Sequence, residues 1–88
     1  GVLRYQQAIA EWHQAALLRP DDVGIRYALA SLFERNKRSE LSLEEIRIIK
    51  KLQPVSSDAT DEVREQRKYL DGLEVALEEA VSKIDKMT

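Results

Sequence analysis

The chain has 88 residues, 43% of them hydrophobic and 34% charged, with a formal net charge of −2 and no cysteine. One small domain with a modest core is the upper limit, and the charge balance gives no general attraction to nucleic acid or to an anionic membrane. The lack of cysteine excludes a disulfide framework and a thiolate metal site, and no apolar run approaches the roughly 18 residues that span a bilayer. A soluble, intracellular chain, cytoplasmic by preference, is the expectation, and a start at Gly1 in place of Met reads as a piece of something larger.

Three glycines and two prolines punctuate the sequence and β-branched alternation is absent, so every long segment reads as helix and the fold class as all-α. The first helix is expected from Val2 to Arg19, with Leu3, Ala8, Ile9, Trp12, Ala15 and Ala16 along one broad apolar stripe. Pro20 stops it, and Asp21 or Asp22 caps the next by accepting backbone N–H bonds. That second helix covers Val23 to Arg35, with Ile25, Leu29, Leu32 and Phe33 at helical spacing. The turn from Asn36 to Glu40 carries no apolar residue. Ser42-Leu43-Glu44-Glu45 then fits a capping box that opens a third helix with Leu43, Ile46, Ile49 and Leu52 on its apolar face. Pro54 ends it, Val55-Ser56-Ser57 is a short linker, and Asp58 starts a long fourth helix reaching about Met87.

The fourth helix has a different pattern. Val63, Leu70, Leu77 and Ile84 recur every seven residues, with Leu73, Ala80 and Met87 three positions further on. This a/d spacing supports two readings. The helix packs along the helices before it, or Val63, Leu70, Leu73, Leu77 and Ile84 form the seam of a coiled-coil homo-oligomer. Gln66 and Gly72 weaken the stripe, glycine costing about 1 kcal/mol relative to alanine inside a helix.

Pro20 and Pro54 lie 34 residues apart, and each closes a helix. Ahead of Pro20, Ala8, Trp12 and Ala15 alternate small, aromatic and small at steps of four and three. With these residues the first helix resembles the second helix of a tetratricopeptide repeat, a family of paired helices with a 34-residue period. Leu29, Ala30 and Phe33 make the second helix similar to the first helix of a following repeat. Arg26 departs from the pattern, where an aromatic or large apolar residue is usual. Ser42, Ile46 and Ile49 match more loosely, and Thr60, Arg64 and Arg67 do not sustain a third repeat.

The resemblance therefore covers Tyr5 to Pro54. It implies one and a half repeats of antiparallel helical hairpins over residues 1–54, then a capping or coiled-coil helix over 58–88. It also implies a concave groove for a partner peptide or helix, lined from the second helix by Gly24, Tyr27, Ser31, Glu34 and Arg35. The Lys/Asn/Arg carboxylate clamp found in some relatives is absent, since Tyr27 and Ser31 occupy two of its positions.

Chemistry finds little footing. His13 is the only histidine, which removes paired-histidine metal sites. Asp21-Asp22, Glu44-Glu45 and Asp61-Glu62 all lie at expected helix starts, where they favour the helix dipole. No glycine-rich phosphate loop exists. No catalytic residue, metal or cofactor is expected, and the chain is not expected to be an enzyme. Arg35-Asn36-Lys37-Arg38, with Arg47, Lys50 and Lys51 nearby, forms a basic turn. The segment Leu41-Ser42-Leu43-Glu44-Glu45-Ile46-Arg47 before a long helix is similar to regulators of the MerR type, but no aromatic wing or recognition helix precedes it. The expected function is a protein–protein interaction scaffold that binds a partner peptide or helix. The alternatives are homo-oligomerisation through the heptad helix and a DNA-binding fragment, nucleic acid and membrane not being the expected partners.

Overall fold

Helix punctuation follows from capping chemistry. The computed structural model describes residues 2–87, and side chains for 3–84; these form four α-helices with no strand among them. They are α1 (Val2–Leu18), α2 (Val23–Arg35), α3 (Ser39–Leu52) and α4 (Asp61–Met87). The all-α class and the helical hairpins followed by a long last helix agree with the sequence. Asp22 is the N-cap of α2, its Oδ1 accepting from the Ile25 N–H at 3.3 Å.

Two expected helix starts are corrected. α3 begins at Ser39, three residues before the expected cap at Ser42. The cause lies in the turn before it. Lys37 takes a left-handed conformation (φ 59°), Arg38 N–H donates to Phe33 O at 2.8 Å and Lys37 N–H to Glu34 O at 3.1 Å. This pair of bonds is a Schellman ending of α2, built on lysine where glycine is usual, and it reverses the chain within three residues. Ser42 therefore sits inside α3, fully buried, and its hydroxyl donates to Ala30 O at 3.0 Å. Glu45 does not reach back to a cap; it pairs with Arg26 of α2. α4 begins at Asp61, because Thr60 Oγ1 accepts from Val63 N–H at 3.3 Å. Asp58 lies in a turn of the linker, where Ala59 N–H donates to Ser56 O.

Among the described residues, helix backbones come into contact only between sequence neighbours, α1 with α2, α2 with α3 and α3 with α4. The result is an open array measuring 43 × 35 × 18 Å. Its radius of gyration, 14.2 Å, exceeds the roughly 12 Å of a compact domain of this length.

Two cores hold the array. Ala16 of α1 meets Ile25, Leu29 and Phe33 of α2, with Ile9 and Ala15 at the margin. On the other side of α2, Ala30 joins Leu43, Ile46 and Ile49 of α3 and Leu70 and Leu77 of α4, flanked by Val23, Tyr27, Leu73 and Val81. α2 is thus covered on two faces and α1 on one. The expected α1 stripe is wider than its contact: Leu3 is 73% exposed and Trp12 38%. A single neighbouring helix cannot cover so broad a stripe.

Candidate protein-interaction surface

The α2 residues expected to line a groove divide. Gly24, Ser31, Glu34 and Arg35 are exposed, whereas Tyr27 is partly buried against the second core. Its hydroxyl accepts from Gln66 Nε2 of α4 at 3.3 Å. Burial pushes the phenol pKa up, opposed by that hydrogen bond and by the nearby Arg67 charge. Tyr27 walls a crevice of about 380 Å³ with Leu52, Pro54, Val63 and Gln66, so it ties the start of α4 to α2.

The heptad residues of α4 also divide. Leu70 and Leu77 are buried on α3 and Leu73 is half-buried, while Val63 and Ile84 are exposed. The side chain of Met87 lies outside the described residues. Beside these leucines runs an ionic lattice. Lys50 Nζ stands 2.6 Å from Asp71 Oδ1 and 2.6 Å from Glu74 Oε1. Arg47 reaches Glu74 at 3.3 Å and Glu78 at 3.0 Å. Hydrogen bonds that Lys50 donates to Asp71 and Glu74 hold its pKa above the ordinary value. The bond from Lys50 holds Glu74 below its own, and bonds to Glu78 and Glu74 raise Arg47. Two of the cations grouped with the basic turn are therefore matched by α4 carboxylates. Arg67 extends the same logic, donating to Lys50 O and Gln53 O at the carbonyl end of α3, where a cation complements the helix dipole.

Large apolar side chains are also exposed on α1. Leu17 and Leu18 are 78% and 75% exposed, and Leu3 and Trp12 add to them. Between α1 and the start of α3 lies an open depression of about 410 Å³, lined by Tyr5, Ile9, His13, Phe33 and Leu41. The His13 ring sits 6.0 Å from that of Phe33, tilted by 55°. Sequence reasoning set Trp12 on the apolar stripe of α1 and gave Leu17 no role. The signal was there: apolar residues on α1 spread beyond any single stripe.

Among the described residues no cluster of His, Cys, Asp or Glu could hold a metal ion, and no helix is long and apolar enough to cross a membrane. No family model, curated protein or solved structure matches the chain.

Proposed function

We propose that the chain is a non-catalytic protein–protein interaction module of tetratricopeptide type, binding a partner peptide or helix. The observation that carries this reading is the open array, in which Leu3, Trp12, Leu17 and Leu18 of α1 are exposed. Apolar surface gathered on one element is characteristic of a docking face. Ser31, Glu34 and Arg35 remain available on α2 as a polar margin.

The two alternatives draw less support. Leu70 and Leu77, central to a coiled-coil seam, are buried against α3. Arg47 and Lys50, needed by a nucleic-acid patch, face carboxylates of α4.

A photo-crosslinking amino acid placed at Leu18, or at exposed Glu79 as a control, tests the reading in the cell of origin. A discrete protein adduct from Leu18 and none from Glu79 is the expected result. Identical adduct patterns from both sites would remove the assignment.

A further inference from the structure

The 34-residue offset lays α1 on α3, and the two helices meet their successors alike. Ile9 and Ala16 of α1 pack on α2. Their counterparts are Leu43, which joins the core shared with α4, and Lys50, which pairs with Asp71 and Glu74 of α4. One ridge breaks the likeness. On α3, Glu40, Glu44, Arg47 and Lys51 follow one another at steps of four, three and four, and all are exposed. Charge of this kind is the ordinary covering of a solvated helix face. The same positions on α1 are Gln6, Ala10, His13 and Leu17, equally exposed, with Leu3 one step ahead of them. Leu3 and Leu17 are 73% and 78% exposed. A helix seated on α1 as α2 is seated on α3 would cover Ala8, Glu11 and Ala15, the counterparts of Ser42, Glu45 and Ile49. Those lie on roughly the opposite side of α1, so such a helix leaves the ridge open.

The ridge borders the depression of about 410 Å³ between α1 and the start of α3. The two helix backbones do not come into contact across it. Tyr5, Ile9, Phe33 and Leu41 give it apolar walls, and Arg38 lines it while no carboxylate does. Arg38 forms no ion pair with any described residue, nor do Arg35 and Lys37 of the same turn. The basic turn thus keeps its charge where Arg47 and Lys50 do not.

From these observations we infer that the α1–α3 depression, with the Leu3–Leu17 ridge beside it, docks an acidic, apolar segment of another protein. A leucine or aromatic side chain of that segment enters the recess, and a carboxylate within a turn of it meets Arg38. The ridge runs roughly 21 Å at 1.5 Å per residue, a length that suits an elongated segment. A recess receives an inserted side chain better than a flat lipid surface does, and the formal net charge of −2 gives no general attraction to an anionic membrane. The inference rests on the interaction reading above and specifies the face and the chemistry of the partner.

The probe is a library of random 16-residue peptides displayed on phage and selected on the immobilised 88-residue chain. Selected sequences are expected to share a leucine or aromatic residue with Asp or Glu within four positions. Synthetic, fluorescein-labelled copies are then titrated by anisotropy. Leu17→Glu and Arg38→Glu, both at exposed sites, are each expected to weaken binding about tenfold or more without changing the helical circular dichroism. Lys51→Ala, at the position of α3 that corresponds to Leu17, is expected to leave it unchanged. A peptide with lysine in place of its acidic residue is expected to bind Arg38→Glu better than the parent chain, as charge reversal across a docked pair requires.

Four results would overturn the inference. The first is a selection that enriches no common pattern. The second is peptide binding indifferent to Leu17→Glu and Arg38→Glu. The third is self-association of the chain that Leu17→Glu abolishes, which would assign the face to a second copy. The fourth is co-sedimentation with vesicles of three parts phosphatidylcholine to one of phosphatidylserine that Leu17→Glu abolishes, which would assign it to a membrane. If Leu18 still captures a protein while the selected peptides ignore both variants, the interaction reading stands and this face falls.

Discussion

Arg26 and Glu45 form a charged link between α2 and α3, with Arg26 Nη1 3.2 and 3.3 Å from the two carboxylate oxygens of Glu45. The side chains are 17% and 8% exposed, and Arg26 Nε has no partner among the described residues. Under the proposed repeat reading an apolar residue is expected at position 26, so a charge pair stands where packing would. Removing one partner leaves a poorly solvated charge. Glu45→Ala is expected to lower unfolding free energy by about 3 kcal/mol, and the double change Arg26→Met with Glu45→Leu to recover most of that. Urea denaturation of the three proteins measures both. A double variant as unstable as the single one would show that the pair is worth more than its apolar replacement.

Ser42 sets the spacing of the same two helices. It is fully buried and its only polar atom donates to Ala30 O. Ser42→Ala is expected to cost about 1 kcal/mol, the net worth of one hydrogen bond. Ser42→Leu is expected to cost more, about 1–3 kcal/mol, by overpacking the crossing. Thermal melts give the order, and equal stability of the two variants would contradict a close approach at this point.

The α3–α4 lattice gives stability an acid and an alkaline edge. Glu74 is held below its ordinary 4.5, so its contribution is complete above that value and is lost as pH falls through the lower value of the folded chain. Lys50 is held above its ordinary 10.5, and Tyr27 above 10.0. Their contributions are complete below those values and are lost as pH rises beyond them. A stability plateau between about pH 5 and 10 is expected, with Glu74→Gln flattening the acid edge and Lys50→Met the alkaline one. Urea midpoints measured across pH check this. Because the lattice is partly exposed, added salt is expected to weaken it.

The heptad leucines are expected to act within one chain. Leu77→Ala should cost about 2–5 kcal/mol, as other buried leucines do. Val63→Ala and Ile84→Ala, at exposed positions, should each cost less than about 1 kcal/mol. Sedimentation is expected to give a monomer at concentrations on the order of 100 µM, where an obligate coiled coil would be associated. A dimer dissociated by Ile84→Ala would instead establish the seam.

Local signals in the sequence located α2 to the residue, since Asp22 supplies a cap and Pro20 bars the preceding helix from continuing. The start of α3 was hidden, because Lys37 adopts a conformation associated with glycine and the hydroxyl of Ser42 serves another helix instead of its own first turn. Likewise the heptad of α4 named Leu70 and Leu77 as core, but could not say that α3 covers them. The pairing of Arg47 and Lys50 with Asp71, Glu74 and Glu78 spans more than twenty residues of chain, and charge spacing alone leaves such partners open. At the candidate site, Ser31, Glu34 and Arg35 were found exposed as the groove reading needs, while Tyr27 is engaged by Gln66. The face on α1 was missed because apolar spacing identifies which residues seek cover, not how many helices supply it.

Accessibility of Trp12 tests the central claim most directly, through iodide quenching of its emission in the isolated chain and again with a protein captured through Leu18. The account predicts ready quenching in the isolated chain, in keeping with 38% exposure, and strong protection in the complex. Protection of Trp12 in the isolated chain, or undiminished quenching in the complex, would contradict an open docking face on α1.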